Sequence, residues 1–414
     1  MQIIASIGFF KRFLIDVFLL GYRYTAILRK MIDFVLNWHR TCKLYWSGNY
    51  GGVFVSKEYV LVINPGSTST KVALFAGEEN VLQKNLTHSP EELSKFDKIT
   101  DQFEYRKDII VNWMKEEGYS VEQLKAVVGR GGLLKPMPSG VYKVTDALIE
   151  DLKIGVQGEH ASNLGGIIAR SIAGLNGVES YIVDPVAVDE FHDVARISGI
   201  PQVKRRSLVH ALNVRAISIG LADELGKSLE DLNLVVAHLG GGISVVPMEK
   251  GKMIDANNAN EMGPFSPERA GGLPVGDLMK LVFSGDYTPK EMKDKLRGKG
   301  GIVAYLGTND VRDVQAMIDK GDEKAKLVLD AMCYQIAKEI GKMATVLKGK
   351  VDGVVLTGGI AYSNYVTDMI TDMVSYVGTV YVRPGEDEMK ALNEGVMRVE
   401  AGKELPKIYE NEVN

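Results

Sequence analysis

The chain has 414 residues, 45% of them hydrophobic and 25% charged, with a net charge of −4. This length exceeds one ordinary core and predicts two domains. The acidic balance excludes nucleic acid as a general partner, and two widely separated cysteines, Cys42 and Cys333, exclude a disulfide framework or a zinc pattern and fit a reducing cytoplasm.

Residues 1–54 stand apart in composition. They carry a charge of +5, leaving −9 on the remainder, and hold half of the phenylalanines and two of the three tryptophans. Asp16 and Arg23 interrupt the apolar run "FLIDVFLLGYRYTAIL", so no clean membrane span is predicted, only an amphipathic surface helix at most. Tyr50-Gly51-Gly52 is a peptide that a ribosome-binding sequence would encode, just before Val55. The segment is therefore expected to be upstream sequence outside the family, with Val55 as the initiator. The intact mass of the natively expressed protein is expected to begin at residue 55, and a product retaining Met1 overturns this.

From Val55 onward, short β-rich runs alternate with helical patterns, as in α/β proteins. The predicted strands in chain order are Val60–Ile63, Val72–Phe75, Ala126–Val128, Tyr181–Val183, Leu234–His238, Ser244–Pro247, Val354–Leu356 and Val380–Val382. The predicted helices are Asp101–Glu117, Asn163–Leu175, Leu208–Leu225, Lys324–Leu347 and Glu388–Glu400. Between the first two strands lies "NPGSTSTK", Asn64–Lys71, a turn of eight residues rich in hydroxyls. "AHLGGGISV" repeats that logic, and "LTGGIAYS" follows a late strand and is expected to open a helix. Glycine lets backbone N–H groups converge on a phosphate, to which hydroxyls add donors and lysine adds charge. One such turn is weak evidence, but three in this order are far more specific. "GLADELGKS" only imitates a P-loop, with one residue too many between its glycines, and Gly226 is read as a helix C-cap.

These three turns resemble the phosphate and adenosine motifs of the acetate and sugar kinase/heat-shock ATPase/actin superfamily. Together with "VGRGGLLKPMPSGVY", "GEHASNLGG", "VDPVAVDEF", "RRSLVHALN" and "TNDVRD", they resemble the acetokinase family from about Ser56 to the C-terminus. "GPFSPERAGGLP" points to the branch that uses butyrate. The resemblance implies two ribonuclease-H-like (actin-like ATPase) domains, 55–205 and 206–414, with a cleft between them. It implies Mg2+ and ATP/ADP, a short-chain carboxylate substrate, and a homodimer or higher homo-oligomer. A carboxylate is already ionised at neutral pH, so the chemistry calls for positioning and charge neutralisation rather than a general base. An acetate or propionate kinase, or a conformational ATPase of the same superfamily, stands as the alternative.

Carried onto this sequence, the resemblance makes Asn64, Ser67, Ser69 and Lys71 a β- and γ-phosphate clamp, while Thr68 and Thr70 face outward or stabilise the turn. Gly240, Gly241 and Gly242 form the second phosphate turn, braced by His238, and Gly358 and Gly359 lie against the nucleotide. Arg130 grips the substrate carboxylate or the phosphoryl group, Arg269 is a second candidate, and His210 bonds the phosphoryl oxygens. Asp184 suits Mg2+ directly or through water, and either Glu386 or Glu388 completes its shell. Asn309, Asp310 and Arg312 border the adenosine or organise the hinge. His160 is a weaker candidate, and His39, His88 and His192 are unassigned.

Overall fold

Two sheets repeat one plan. The computed structural model describes residues 56–413, so the expectations for residues 1–54 lie outside the described residues. The first sheet contains β1 (Tyr59–Pro65), β2 (Ser69–Ala76), β3 (Glu79–Thr87), β4 (Leu124–Arg130), β5 (Val141–Lys143), β6 (Glu179–Val183) and β12 (Lys407–Ile408), ordered β12-β5-β6-β4-β1-β2-β3. The second contains β7 (Asn233–Leu239), β8 (Ile243–Glu249), β9 (Lys252–Met253), β10 (Gly353–Gly358) and β11 (Val380–Pro384), ordered β11-β10-β7-β8-β9. In each sheet an antiparallel meander (β1-β2-β3 and β7-β8-β9) is continued by two strands parallel to its first member (β4-β6 and β10-β11). The internal echo of the sequence is thus a duplicated topology, as the resemblance to two ribonuclease-H-like domains implies.

The burial of the strands explains their apolar runs. Side chains alternate across a strand, so a sheet covered on both faces needs an unbroken apolar run rather than an alternating one. Leu61 and Ile63 pack under the helices Phe103–Glu116 and Asn163–Asn176. Val60 and Val62 face the opposite side, against Met389, Leu392 and Val396 of the helix Glu388–Glu400. In the second sheet, Val235 and Ala237 meet the long helix Glu323–Val346, while Leu234 and Val236 meet the helix Ala211–Glu224. The last long helix and β12 therefore return to the first sheet although they lie at the end of the chain.

All eight predicted strands and five predicted helices are present, with shifted ends. The helix expected from Asp101 begins at Phe103 after a 3-10 turn at Ile99–Gln102, and the one expected from Leu208 begins at Ala211. Gly226 takes φ +63 and Lys227 N–H reaches Ala222 O, a Schellman closure that agrees with the C-cap reading. The eight-residue turn is shorter than expected. Asn64 pairs with Lys71 and Pro65 with Thr70 in the ladder, so only Gly66–Thr68 lie outside strands. The ladder's hydrogen bonds extend past the apolar residues, and composition alone could not mark where they stop. The second turn is likewise Gly240–Gly242.

Glycine permits one close approach that positions the cleft. A Cβ on Gly129 of β4 would sit 2.1 Å from Gly165 O, in the first turn of the helix Asn163–Asn176. Gly129→Ala is expected to cost about 3 kcal/mol of stability through this overpacking, measured by urea unfolding. Wild-type stability in the variant would contradict the contact.

Candidate active site

The site forms where the turns and strand ends of both sheets meet the start of the helix Glu388–Glu400. Asp387 caps that helix, accepting from Lys390 N–H, and this places Glu388 in its first turn. The Glu388 carboxylate lies 2.9 Å from Arg130 Nη1 and accepts from Asn64 Nδ2 at 2.5 Å. Arg130 ends β4 and Asn64 lies near the end of β1, so three distant parts of the chain converge on one ion pair.

The preceding loop is tied down by backbone. Gly385 and Gly358 exchange N–H···O bonds of 3.0 and 3.1 Å, and Thr357 Oγ1 donates to Gly385 O at 3.1 Å. Gly358 takes φ +88, and a Cβ there would meet Leu239 O at 2.4 Å, so this glycine serves the close approach of β10 to the end of β7. Gly359 opens a 3-10 turn, after which Ser363 caps the helix Asn364–Val374. The late glycine turn therefore leads into a helix as expected, with one extra turn between.

The tied loop presents Glu386 to His238, whose Nε2 is 3.1 Å from the carboxylate. That contact holds the Glu386 pKa below the usual carboxylate value, against a partial desolvation that pulls the other way. His238 Nδ1 is 2.7 Å from Asn213 Oδ1. His210 stacks on His238 with ring centroids 4.0 Å apart, and its Nδ1 is 3.0 Å from Ser244 Oγ. Burial, then His238, Arg269 and Arg130, push the His210 pKa well below 6.5, so its imidazole is neutral at physiological pH.

Asp184 ends the first parallel set with φ +38 and is 3% exposed. Gly140 N–H and Arg215 both engage its Oδ1, at 2.7 and 3.2 Å. Burial pushes its pKa up while these two partners pull the other way. Arg215 is also 3.4 Å from Glu404, which accepts from Val141 N–H and Arg398. Asp184, Glu386 and Glu388 line one crevice of about 20 Å³ together with Arg130 and His210. Among the described residues, no three metal-binding side chains converge on one point. An oxygen donor set of one or two carboxylates at a time suits Mg2+, which keeps waters and shares phosphate oxygens.

Three wider cavities adjoin the crevice. The largest, about 1180 Å³, is lined by Gly240, Gly241, Gly359, Asn309, Asp310, Arg312 and Glu386. A second, about 630 Å³, is lined by Asn64, Ser67, Ser69, Lys71, Arg130 and His160. A third, about 590 Å³, holds Arg130, Arg269, Arg297, His160 and His210 beside Leu133, Val186, Leu208 and Val209. The candidates thus gather around one cleft. Gly358 and Gly242 line none of these cavities and serve packing. Asp310 caps the helix Val311–Asp319 and pairs with Arg312 at 2.6 Å on the wall of the largest cavity.

Sequence reasoning missed Arg215, Glu404 and Arg106. Arg106, on the helix Phe103–Glu116, bonds the carbonyls of the first turn. None of the three carries a motif, because each acts through residues remote in sequence.

Arg269 lies flat on the second glycine turn. It donates from Nη1 to Ala259 O at 3.0 Å, and a Cβ on Gly242 would sit 2.2 Å from that same nitrogen. Gly242→Ala is expected to displace the guanidinium and lower turnover about tenfold or more, with unchanged far-ultraviolet circular dichroism. Unaltered turnover would remove Arg269 from the site.

Relatives share this plan. A sequence model of the acetokinase family matches residues 179–399. Butyrate kinase 2 of Clostridium acetobutylicum is 54% identical over 351 residues, spanning 84% of this chain and 99% of that protein. A probable butyrate kinase 2 of Caldanaerobacter subterraneus is 53% identical over 350 residues, with the same coverage of both chains. Among solved structures, acetate kinase of Porphyromonas gingivalis gives a TM-score of 0.69 at 20% identity, over 82% of this chain and 99% of that one. Acetate kinase of Entamoeba histolytica gives 0.66 at 18%, over 81% and 98%. At these identities the two structures speak for the fold alone, the duplicated sheet plan described above. The sequence likeness, over 84% of this chain and 99% of those relatives, carries the assignment further: the chain belongs to the acetokinase family.

Proposed function

We propose that the chain is a butyrate kinase, transferring the γ-phosphoryl group of ATP to butyrate or a related short- or branched-chain acid, and back again from the acyl phosphate to ADP. The likeness to butyrate kinases over nearly their whole length supports the acceptor. The observation that carries the mechanism is the continuity of the cavities at Glu386 and Arg130. Glu386 is common to the largest cavity and the crevice, and Arg130 to the crevice and both smaller cavities.

In this reading the nucleoside lies in the cavity walled by Gly240, Gly241 and Gly359, with its phosphates directed at the turn Gly66–Thr68 and at Lys71. The acid occupies the third cavity, its carboxylate toward Arg130 and Arg269 and its alkyl chain against Val186, Leu208 and Val209. A carboxylate oxygen attacks the γ-phosphorus, the bond to the β–γ bridging oxygen breaks, and ADP leaves with that oxygen. No proton moves, because the acid is already ionised, with a pKa of about 4–5. His210, neutral, acts as a hydrogen-bond partner of the phosphoryl oxygens rather than as a base. The two arginines neutralise charge where it develops. Asp184, directly or through water, and one of Glu386 and Glu388 would supply the oxygens for Mg2+, which when bound would add further neutralisation of the polyphosphate. Among the described residues no helix is long and apolar enough to cross a membrane.

The test is acyl-phosphate formation, trapped as the hydroxamate, on acetate, propionate, butyrate, isobutyrate and isovalerate. Highest kcat/KM on butyrate or a branched relative is expected. Preference for acetate would keep the chemistry and change the acceptor. No product from any acid, in folded protein that binds ATP, would favour a conformational ATPase.

A further inference from the structure

The helix Phe103–Glu116 contributes one side chain to the back of the first turn. Arg106 is 1% exposed, and the five N–H donors of its guanidinium reach five acceptors, all neutral, with those of Nη1 shared among three. Nη1 donates to Gly66 O at 2.7 Å, to Ser69 O at 3.2 Å and to Thr70 Oγ1 at 3.1 Å. Nη2 donates to Ser67 O at 3.0 Å, and Nη2 and Nε both reach Gln102 Oε1, at 2.8 and 3.1 Å. No carboxylate pairs with Arg106 among the described residues, and burial lowers its pKa only to about 10, so the charge persists at neutral pH.

This arrangement is unusual for a purely structural arginine. A buried cation is ordinarily paired with a carboxylate, because dipoles alone offset its desolvation incompletely. Here the acceptors are the carbonyls of the turn itself. Thr68 O, the remaining carbonyl of Gly66–Ser69, accepts from His88 N–H at 2.9 Å. Three of the four carbonyls are thereby held by Arg106, and the fourth by the β3 side of the sheet. The N–H groups of Ser67 and Thr68 have no protein acceptor among the described residues, and the turn borders the cavity that holds Lys71 and Arg130. Successive N–H groups turned outward, with carbonyls turned away, form an anion-binding concavity. His88 adds no second charge behind the turn. Its Nε2 is 2.9 Å from Thr70 Oγ1, and burial, then Arg106, lower its pKa to about 4.

We propose that Arg106 is a positioning residue for the polyphosphate: its fork holds the β1–β2 turn in the conformation that receives phosphate, and its charge finds a counter-anion only when the nucleotide arrives. The proposal rests on the kinase reading, which makes this turn a phosphate site. Arginine rather than lysine is needed, since a planar fork with five donors can hold three carbonyls and a hydroxyl at once, whereas an ammonium has three donors.

The experiment compares inhibition by tripolyphosphate and by adenosine, each against ATP, in the full-length wild-type protein, Arg106→Gln and Arg106→Lys. The expected result is a weakening of tripolyphosphate and a rise in the KM of ATP by about tenfold in Arg106→Gln, and by less in Arg106→Lys. The adenosine inhibition constant and the KM of butyrate are expected to stay within about twofold. If Arg106→Gln does not fold, the ratio of the two inhibitors in Arg106→Lys decides. Tripolyphosphate inhibition unchanged in a folded variant would overturn the proposal. Equal weakening of both inhibitors would do the same, since it would mark general loosening. A wild-type protein whose ATP turnover tripolyphosphate does not inhibit would refute the phosphate reading of the turn, and the proposal with it.

Discussion

The apolar packing of the helix Glu388–Glu400 under the first sheet is the constraint on which the cleft depends, and the pairing of Glu388 with Arg130 and Asn64 is the contact it sets up. That contact joins the ends of β1 and β4 to a helix more than 250 residues later, at separations of 324 and 258 residues. The helix earns its place by apolar packing under the first sheet, so the ion pair is set by the core rather than holding it. All three side chains are only partly buried. The pair is thus able to open for a ligand without leaving a charge stranded in a dry interior, the situation that makes breaking a fully buried pair costly.

Backbone, not side chain, brings the turns close enough to work together. Gly358 lies against Leu239, Gly242 lies under Arg269, and Gly385 exchanges two hydrogen bonds with Gly358. A β-carbon at either of the first two positions would clash with its neighbour, so close approach explains these glycines better than turn flexibility does. The same geometry separates Gly359, which faces the largest cavity, from Gly358, which faces its own fold.

Electrostatics are arranged in two depths. Near the cleft, His210 is kept neutral and Glu386 ionised, the first by burial and the second by His238. At the back wall of the crevice, Asp184 is held by Arg215, which in turn shares Glu404 with Arg398. This inner network joins the end of β6, the helix Ala211–Glu224 and the residues after the last long helix. It fixes a buried carboxylate whose lone burial would favour the protonated form.

The strands and long helices were legible in the sequence because both sheets are covered on both faces, which demands unbroken apolar runs such as Val60–Ile63 and Leu234–His238. β3 was missed for the converse reason: it is an edge strand whose only buried residue is Leu86, so its pattern is polar. The glycine turns, the histidines and the acidic start of the last helix were likewise readable, since each has a local composition tied to its chemistry. The sequence by itself thus determined the fold class, the family and most of the candidate residues that line the crevice and its adjoining cavities. Only the tertiary structure decided which of them meet: that Glu388 faces Arg130 while Glu386 faces His238, that the first turn is three residues long, and that Arg106 and Arg215 stand behind the site. The physical reason is that these contacts cross long stretches of chain and depend on the packing of helices between sheets, which leaves no periodic or compositional trace.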